Sequence, residues 1–218
     1  MSYLRKNKAY LYRVIRFICK PLFLLVYRPK LVGCEHIPKE GNAVIAGNHK
    51  HALDPILIDI STPRIVRTLA KKELFDGMFG FIFRRVGAIP VDLHSKENRA
   101  ALAASVEVLK GGGVINLSPE AMRNYTDELL LPFKYGAVSM AKKTGAPIIP
   151  YAIAGDYKLF SKNLTVLFGE PFYVGNMELY EANKKLYHCI IELLTSVTEQ
   201  SLLERKHITT FDEWSMQG

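Results

Sequence analysis

Residues 41–47 have the sequence Gly41-Asn42-Ala43-Val44-Ile45-Ala46-Gly47, a short apolar run between two turn signals. Such a run, bounded by glycine and about as long as an average strand, is typical of a strand buried in a sheet. Five further apolar runs of this kind occur along the chain. They are residues 31–33, 65–70, 113–117, 147–153 and 164–168.

Stretches with helical signals alternate with these strands, and glycine follows three of them directly. They run from Pro55 to Ser61, Glu73 to Val86, Ser95 to Lys110, Tyr135 to Thr144 and Met177 to about Glu204. Strands that alternate with helices predict an α/β fold, with a layered, mostly parallel sheet flanked by helices. At 218 residues and 49% hydrophobic content, the chain is long enough for one substantial core.

The first 30 residues differ from the rest of the chain in charge. They contain eight of the 29 Lys and Arg residues and no Asp or Glu. The other 21 basic residues are balanced by the 21 acidic residues of the chain. The formal net charge of +8 therefore belongs to this leader, and the body of the protein is neutral.

The leader also has helical periodicity, with basic residues between its apolar positions. This pattern is typical of an amphipathic helix in a membrane interface, with its bases toward anionic headgroups, although a helix packed on the core would give it too. The leader lacks the roughly 20 apolar residues of a spanning helix and the cleavage site of a signal peptide. We predict a membrane-associating leader over residues 1–30 and one folded domain over residues 31–218. The periodic apolar residues are Leu11, Val14, Ile15, Ile18, Leu22 and Leu25.

Composition also limits which partners and which cellular compartment are expected. Cys19, Cys34 and Cys189 are widely separated, so neither a disulfide framework nor a zinc site is expected. The neutral body carries no nucleic-acid reader motif, and we expect no nucleic-acid partner. Without an export signal, the expected location is the cytoplasmic face of the cell membrane, with peripheral or monotopic attachment.

The candidate catalytic residues are His49 and Asp54. His49 follows the strand at 41–47, and α/β proteins bind ligands at the carboxyl ends of their strands. Asp54 precedes Pro55, which predicts a helix N-cap with proline at the first helical position. A turn between the two residues would bring the carboxylate onto the imidazole as a general-base pair. A capping Asp and a surface His would explain the same residues without catalysis.

Other catalytic chemistries lack their residues. His51 forms a His-x-His pattern with His49, but no third ligand follows at a suitable spacing, so no metal site is predicted. No Gly-x-Ser-x-Gly elbow is present, and the lack of a nucleophile favours direct transfer over a covalent intermediate.

The segment from Gly47 to Pro55 resembles the N-H-x4-D block of the 1-acylglycerol-3-phosphate O-acyltransferase family, and further blocks follow in the family's order. Blocks in the correct order over roughly residues 31–170 are far more specific than any single block. They are similar to A-K-x-E-L at Ala70–Phe75, G-x-I-P-V-D at Gly87–Asp92, F-P-E-G-T-R at Ser118–Arg123, F-K-x-G-A at Pro132–Ala137 and V-P-I-V-P-V at Ala146–Tyr151.

This resemblance implies a phospholipid-biosynthetic enzyme. It would transfer a fatty acyl group from acyl-CoA or acyl-ACP to the hydroxyl of lysophosphatidic acid, and it would hold no bound cofactor. His49 would deprotonate the acceptor hydroxyl, and Asp54 would orient the imidazole and steady its positive charge.

Matching blocks also give substrate-binding candidates. Lys71 and Arg123 would bind the acceptor phosphate, since cations and above all the Arg fork suit it. Glu120 would orient the Arg123 guanidinium. A solvated turn at Lys71 and a loop salt bridge at Glu120 remain the alternatives.

Three residues depart from the family pattern. Leu93 stands where the family usually has Arg, with Lys96 and Arg99 as the nearest substitutes, and Ala121-Met122 replaces Gly-Thr. These changes concern the acceptor, so another lysolipid acceptor and a catalytically silent lipid-binding module both remain alternatives.

An apolar series after Lys71 is a candidate wall for the acyl chain, and core packing would explain it equally well. It consists of Leu74, Phe75, Met78, Phe79, Phe81, Ile82 and Phe83.

Overall fold

A computed structural model describes residues 6–78, 80–93, 95, 98–198, 203 and 206–215. In this part of the chain, seven strands form one sheet in the order β1-β7-β6-β2-β5-β3-β4. All neighbouring pairs are parallel except β6 and β7. The strands are β1 (Lys30–Val32), β2 (Ala43–Gly47), β3 (Val66–Lys71), β4 (Ile89–Val91), β5 (Val114–Leu117), β6 (Ile148–Ala154) and β7 (Thr165–Phe168).

Helices cover both faces of this sheet, which confirms the predicted α/β fold with a mostly parallel sheet. The helices α4, α5 and α6 pack on one face, and α1 and α2 lie over the other. The helices are α1 (Lys6–Tyr27), α2 (Asp54–Ile60), α3 (Gly80–Val86), α4 (Arg99–Lys110), α5 (Gly136–Thr144), α6 (Leu179–Val197) and α7 (Phe211–Ser215).

The central strands are buried from both sides. Every residue of β2, β5 and β6 is buried, as expected for parallel strands that lie between two helical layers. Because β2, β5 and β3 are adjacent and parallel, their carboxyl ends meet at one edge of the sheet. A side chain at Gly47, the last residue of β2, would collide with the Tyr151 ring, so the close approach of β2 and β6 requires glycine there.

Within residues 1–30, Lys6–Tyr27 form the helix α1, and one face of this helix packs on the rest of the protein. Tyr12 and Phe23 are buried, and the Tyr12 hydroxyl accepts a hydrogen bond of 2.9 Å from the Val66 amide. The opposite face is apolar and exposed, with Phe17 82% accessible to solvent. The exposed apolar residues of α1 are Tyr10, Phe17, Ile18, Leu22 and Leu25. No described helix is both long and apolar enough to cross a bilayer.

The helix predicted over Glu73–Val86 is wrong. The chain forms a 3₁₀ turn over Lys72–Phe75 and a separate helix, α3. A side chain at Gly80 would collide with the Phe75 carbonyl, so the chain folds back tightly where a continuous helix would run straight. Phe79 lies outside the described residues.

Other boundaries and one strand also differ from prediction. The short strand β4 has no counterpart among the predicted runs. The helix predicted from Ser95 begins at Arg99, because the Asn98 side chain bonds the backbone of Asp92 instead of extending the helix. Lys96 lies outside the described residues. The last long helix is described over Leu179–Val197, shorter than the span predicted to Glu204, which itself lies outside the described residues.

Candidate active site

His49 and Asp54 meet in a tight turn after β2. The His49 Nδ1 and the Asp54 Oδ2 are 2.8 Å apart, as expected if the chain turns between them. A carboxylate can only accept, so Nδ1 carries the proton and donates it to Asp54. Nε2 then presents its lone pair, and it has no hydrogen-bond partner in the described part of the chain. This is the tautomer that a general base requires.

The Asp54 carboxylate is buried and accepts from four donors. Besides His49, the backbone amides of Lys50 and His51 donate to Oδ2 at 2.8 Å each, and the Tyr157 hydroxyl donates to Oδ1 at 2.5 Å. Its side chain is 3% exposed. So many donors fix the carboxylate in one orientation.

The predicted N-cap role of Asp54 is wrong. Leu53 occupies the cap position of α2, and no side-chain capping hydrogen bond forms there. The carboxylate instead holds the backbone that precedes it, through the amides of Lys50 and His51. A short Asp side chain can cap a helix. In this protein it instead closes the turn that carries His49.

Glu120 fixes the backbone of the site. Its two carboxylate oxygens accept from the amides of His49, at 2.9 Å, and Leu131, at 2.8 Å. Burial raises the pKa of this carboxyl from 4.5 to about 7, although the two amide hydrogen bonds work against that shift. Glu120 therefore holds the main chain at His49 and at Leu131.

The Arg123 guanidinium has a different neighbour from the predicted one. It lies over the Tyr125 ring, 5.4 Å from the centroid, and within the described residues it forms no ion pair with Glu120. The adjacent Asn124 amide donates to the His49 carbonyl at 2.9 Å, which holds this loop beside His49. Arg123 is exposed, so its charge faces solvent near the site.

Lys71 ends β3 at the same edge of the sheet. Its ammonium lies 3.6 Å from the Glu73 carboxylate, and both side chains are about half exposed. Leu93 follows β4, and Arg99 begins α4. Of the positions compared with the family, Ala121 adopts a left-handed backbone with φ 60°, a conformation that favours glycine and is uncommon for other residues.

Sequence reasoning missed two residues that build the site. Tyr157 carried no signal, because it lies in a loop after the last family block. Asn48 is buried next to the dyad of His49 and Asp54, and its side-chain amide exchanges two hydrogen bonds with the Ile153 backbone, at 2.7 and 3.0 Å. A polar side chain at the end of a buried strand was the available signal for Asn48.

An apolar groove of about 460 Å³ lies between the 3₁₀ turn and α3. Its lining does not include His49 or Asp54, although the turn directly follows the edge of the sheet that carries Lys71. The groove is lined by Glu73, Leu74, Gly77, Met78, Ile82 and Phe83. No cluster of three or more His, Cys, Asp or Glu suited to a metal occurs among the residues that the structure describes.

Comparison with known proteins identifies the family. The Acyltransferase family model matches residues 28–154, which include the whole dyad and its supporting loops except Tyr157. The chain belongs to the acyltransferase family.

Relatives of this acyltransferase carry a more specific name. This chain is 30% identical over 179 residues to a 1-acyl-sn-glycerol-3-phosphate acyltransferase of Borreliella burgdorferi, and the matched region covers 80% of this chain and 70% of that one. It is 28% identical over 163 residues to the protein of that name from Bacillus subtilis, covering 72% and 80%. These matches confirm the family resemblance and an acyltransferase enzyme.

A solved structure shares the fold of this acyltransferase. The crystal structure of the 1-acyl-sn-glycerophosphate acyltransferase PlsC from Thermotoga maritima has a TM-score of 0.69 and covers 90% of this chain and 85% of its own. At 24% sequence identity, the likeness concerns the fold alone.

Proposed function

We propose that this enzyme transfers a fatty acyl group from acyl-CoA or acyl-ACP to the free hydroxyl of 1-acylglycerol-3-phosphate, which gives phosphatidic acid for phospholipid biosynthesis. The observation that carries the proposal is the 2.8 Å hydrogen bond between His49 Nδ1 and Asp54 Oδ2, which leaves Nε2 available as a base. The names of the relatives support this acceptor and this reaction.

His49 and Asp54 are the catalytic pair in this proposal. Nε2 of His49 takes the proton of the acceptor hydroxyl while its oxygen bonds to the thioester carbonyl carbon. The carbon–sulfur bond then breaks, and the leaving thiolate receives the proton from the imidazolium. Asp54 stabilises the positive charge that His49 carries between these steps. Positioned base catalysis of this kind contributes about 10²–10⁴ in rate.

The acceptor phosphate would bind at the edge of the sheet that carries His49. Lys71 and Arg123 are the cations proposed for it, and Glu120 supports the site by holding the His49 backbone. The groove near Leu74 and Met78 would offer an apolar surface to an acyl chain. The donor is a co-substrate, and no bound cofactor enters this mechanism.

The enzyme would work on the cytoplasmic face of the cell membrane. We propose residues 1–30 as its membrane-associating leader and residues 31–218 as its acyltransferase domain. The exposed apolar face of α1 supports this, because an apolar face with flanking bases suits a surface that contains anionic lipids. The other face of α1 packs on the domain, so the helix would lie docked between protein and lipid.

Substitution of the base tests the catalytic assignment. His49→Ala should abolish acyl transfer while the unfolding transition stays cooperative, and His188→Ala, on the exposed side of α6, is the matched control. Transfer from radiolabelled acyl-CoA and acyl-ACP measures the activity and compares the donors. Retention of most activity in His49→Ala would exclude His49 as the base.

An acceptor panel tests the substrate. Leu93, Ala121 and Met122 depart from the family pattern, which favours another lysolipid as the second candidate acceptor. We expect the highest kcat/KM with lysophosphatidic acid among lysolipids with matched acyl chains. A higher value with a zwitterionic lysolipid would replace the acceptor and keep the reaction. Vesicle binding without turnover of any acceptor would instead select a silent lipid-binding module.

Substitutions on α1 test the membrane leader. Phe17→Gln with Leu25→Gln changes the exposed face and leaves the buried Tyr12 and Phe23 in place, so the fold should be preserved. We expect weaker flotation with anionic vesicles. Unchanged flotation would remove α1 from the membrane contact.

A further inference from the structure

The loop that follows β6 exposes two large apolar side chains at its tip. Leu159 and Phe160 are 60% and 62% accessible to solvent, and the adjacent Lys158 and Lys162 are also exposed. Two neighbouring apolar side chains of this size would be more stable out of water. Apolar side chains flanked by lysines are the composition of a segment that enters an anionic lipid interface.

The backbone of the loop is held in place by α1. The Phe160 amide donates to the Val26 carbonyl at 2.6 Å, although Phe160 itself has a left-handed backbone with φ 57°. This conformation is uncommon for a bulky residue and persists where neighbouring contacts fix it. Leu22 and Leu25, within about a turn of Val26, are both exposed. The tip of the loop therefore continues the exposed apolar face of α1.

The same loop also reaches the catalytic dyad. Tyr157 donates to Asp54 at 2.5 Å, and its ring contacts those of Phe23 and Tyr27 in α1, with centroids 6.3 and 5.7 Å apart. Tyr157 and Phe160 are three residues apart, so the chain between them spans at most about 10 Å. A bilayer that contacts the tip would lie close to the dyad.

We infer that residues 158–162 form a second membrane anchor beside α1. Leu159 and Phe160 enter the interface of a bilayer, and Lys158 and Lys162 contact anionic headgroups. This inference rests on the proposed function, because a lipid acceptor in the bilayer gives the site a reason to lie at the membrane surface. It adds a contact that the leader helix by itself does not provide.

Vesicle flotation tests the anchor. Leu159→Gln combined with Phe160→Asn removes the apolar tip, and Asn suits the left-handed backbone at position 160. The matched control is Tyr173→Gln, an exposed aromatic next to Phe172, which pairs with Ile148 at the opposite end of β6. On vesicles of phosphatidylcholine and phosphatidylglycerol, we expect the double variant to bind at least about tenfold more weakly. Binding equal to that of the control would overturn the inference.

A fluorescence measurement tests the inference even if the double variant still binds vesicles. Trp214 is the single tryptophan of the chain, so Phe160→Trp in a Trp214→Phe background reports on the tip alone. Brominated lipids quench a tryptophan that enters the bilayer, and we expect strong quenching in vesicle-bound protein. Vesicle-bound protein with unquenched fluorescence would exclude insertion of the tip.

Activity in detergent separates the inference from the proposed function. The Leu159→Gln/Phe160→Asn variant should transfer acyl groups to detergent-dispersed lysophosphatidic acid at the wild-type rate, because neither residue contacts the dyad. If even the wild-type enzyme transfers nothing there, the proposed function fails, while flotation and quenching still decide the anchor.

Discussion

The His49–Asp54 dyad and the loop that carries Arg123 lie on the same edge of the sheet but differ in how their side chains are held. Asp54 is buried and accepts from four donors, whereas Arg123 is exposed and contacts one aromatic ring. The hydrogen bonds therefore hold Asp54 in one orientation, which is the preorganisation that its proposed catalytic role would need. Among the described residues, the Arg123 guanidinium has no hydrogen-bond partner, so its donors remain open. The contrast predicts that changes at the dyad act on kcat, while changes at the loop act on KM.

The largest effect is expected at Asp54. Asp54→Asn keeps the shape of the side chain but removes its negative charge and turns one acceptor into a donor, so at least one of the four hydrogen bonds and the charge that would stabilise the imidazolium are lost. We expect kcat to fall by about 10²–10⁴ with little change in KM. Asp156→Asn, at an exposed carboxylate in the nearby loop, is the control. An equal fall in both variants would contradict the contrast.

Glu120 should make the free energy of unfolding depend on pH. Its folded-state pKa of about 7 lies above the ordinary 4.5, so the folded protein binds a proton that the unfolded chain has lost. The resulting stability is complete below about pH 4.5 and is lost as the pH rises through about 7, at most about 3 kcal/mol.

Urea unfolding of Glu120→Gln across this pH range measures the effect. The variant should lack this share of the fall in the free energy of unfolding. Burial also raises the pKa of Asp59 to about 7, so Asp59→Asn is needed to separate the two shares. A wild-type slope that survives in Glu120→Gln would assign the titration elsewhere.

Removing the Tyr157 hydroxyl should lower kcat less than Asp54→Asn does. Tyr157→Phe deletes one charge-assisted hydrogen bond to Asp54, worth about 1.5–3 kcal/mol, and we expect kcat to fall roughly tenfold. Tyr27→Phe, which changes an aromatic neighbour of the same ring, should keep wild-type kcat. A change in KM alone would mean that Tyr157 contacts substrate instead of positioning Asp54.

Arg123→Ala should act on the open side of the site. If this guanidinium binds the acceptor phosphate, the KM for lysophosphatidic acid should rise roughly tenfold while kcat changes little, because exposed charges are partly screened. Arg85→Ala, in the last turn of α3, serves as the control for loss of charge. Acceptor kinetics that match wild type would remove Arg123 from the site.

The smallest effect is expected at Ala121. Its left-handed backbone costs a residue with a side chain roughly 1 kcal/mol, which glycine avoids at some entropic cost. Ala121→Gly should therefore raise the free energy of unfolding by up to about 1 kcal/mol. Thermal unfolding measures this, and a clear loss of stability would show that Ala121 makes contacts that outweigh the strain.

Prediction from sequence succeeded where the signals were local. The strand before His49 and the turn before Pro55 each span a few residues, so the pairing of His49 with Asp54 could be inferred. The helix over Glu73–Val86 failed because composition indicates helix there, while the fold-back at Gly80 depends on a contact with Phe75. The predicted capping role of Asp54 was wrong because the carboxylate accepts from His49 and from the amides of Lys50 and His51, which precede it in the chain.

The sequence by itself determined the α/β class, the edge of the sheet that carries the dyad and the family. These follow from apolar periodicity, from the glycine and proline turns, and from ordered blocks. Only the tertiary structure revealed that Glu120 holds the His49 backbone across 71 residues and that Tyr157 holds Asp54 across 103. The physical reason is that such contacts depend on the order of the strands, which brings together loops that no local signal connects.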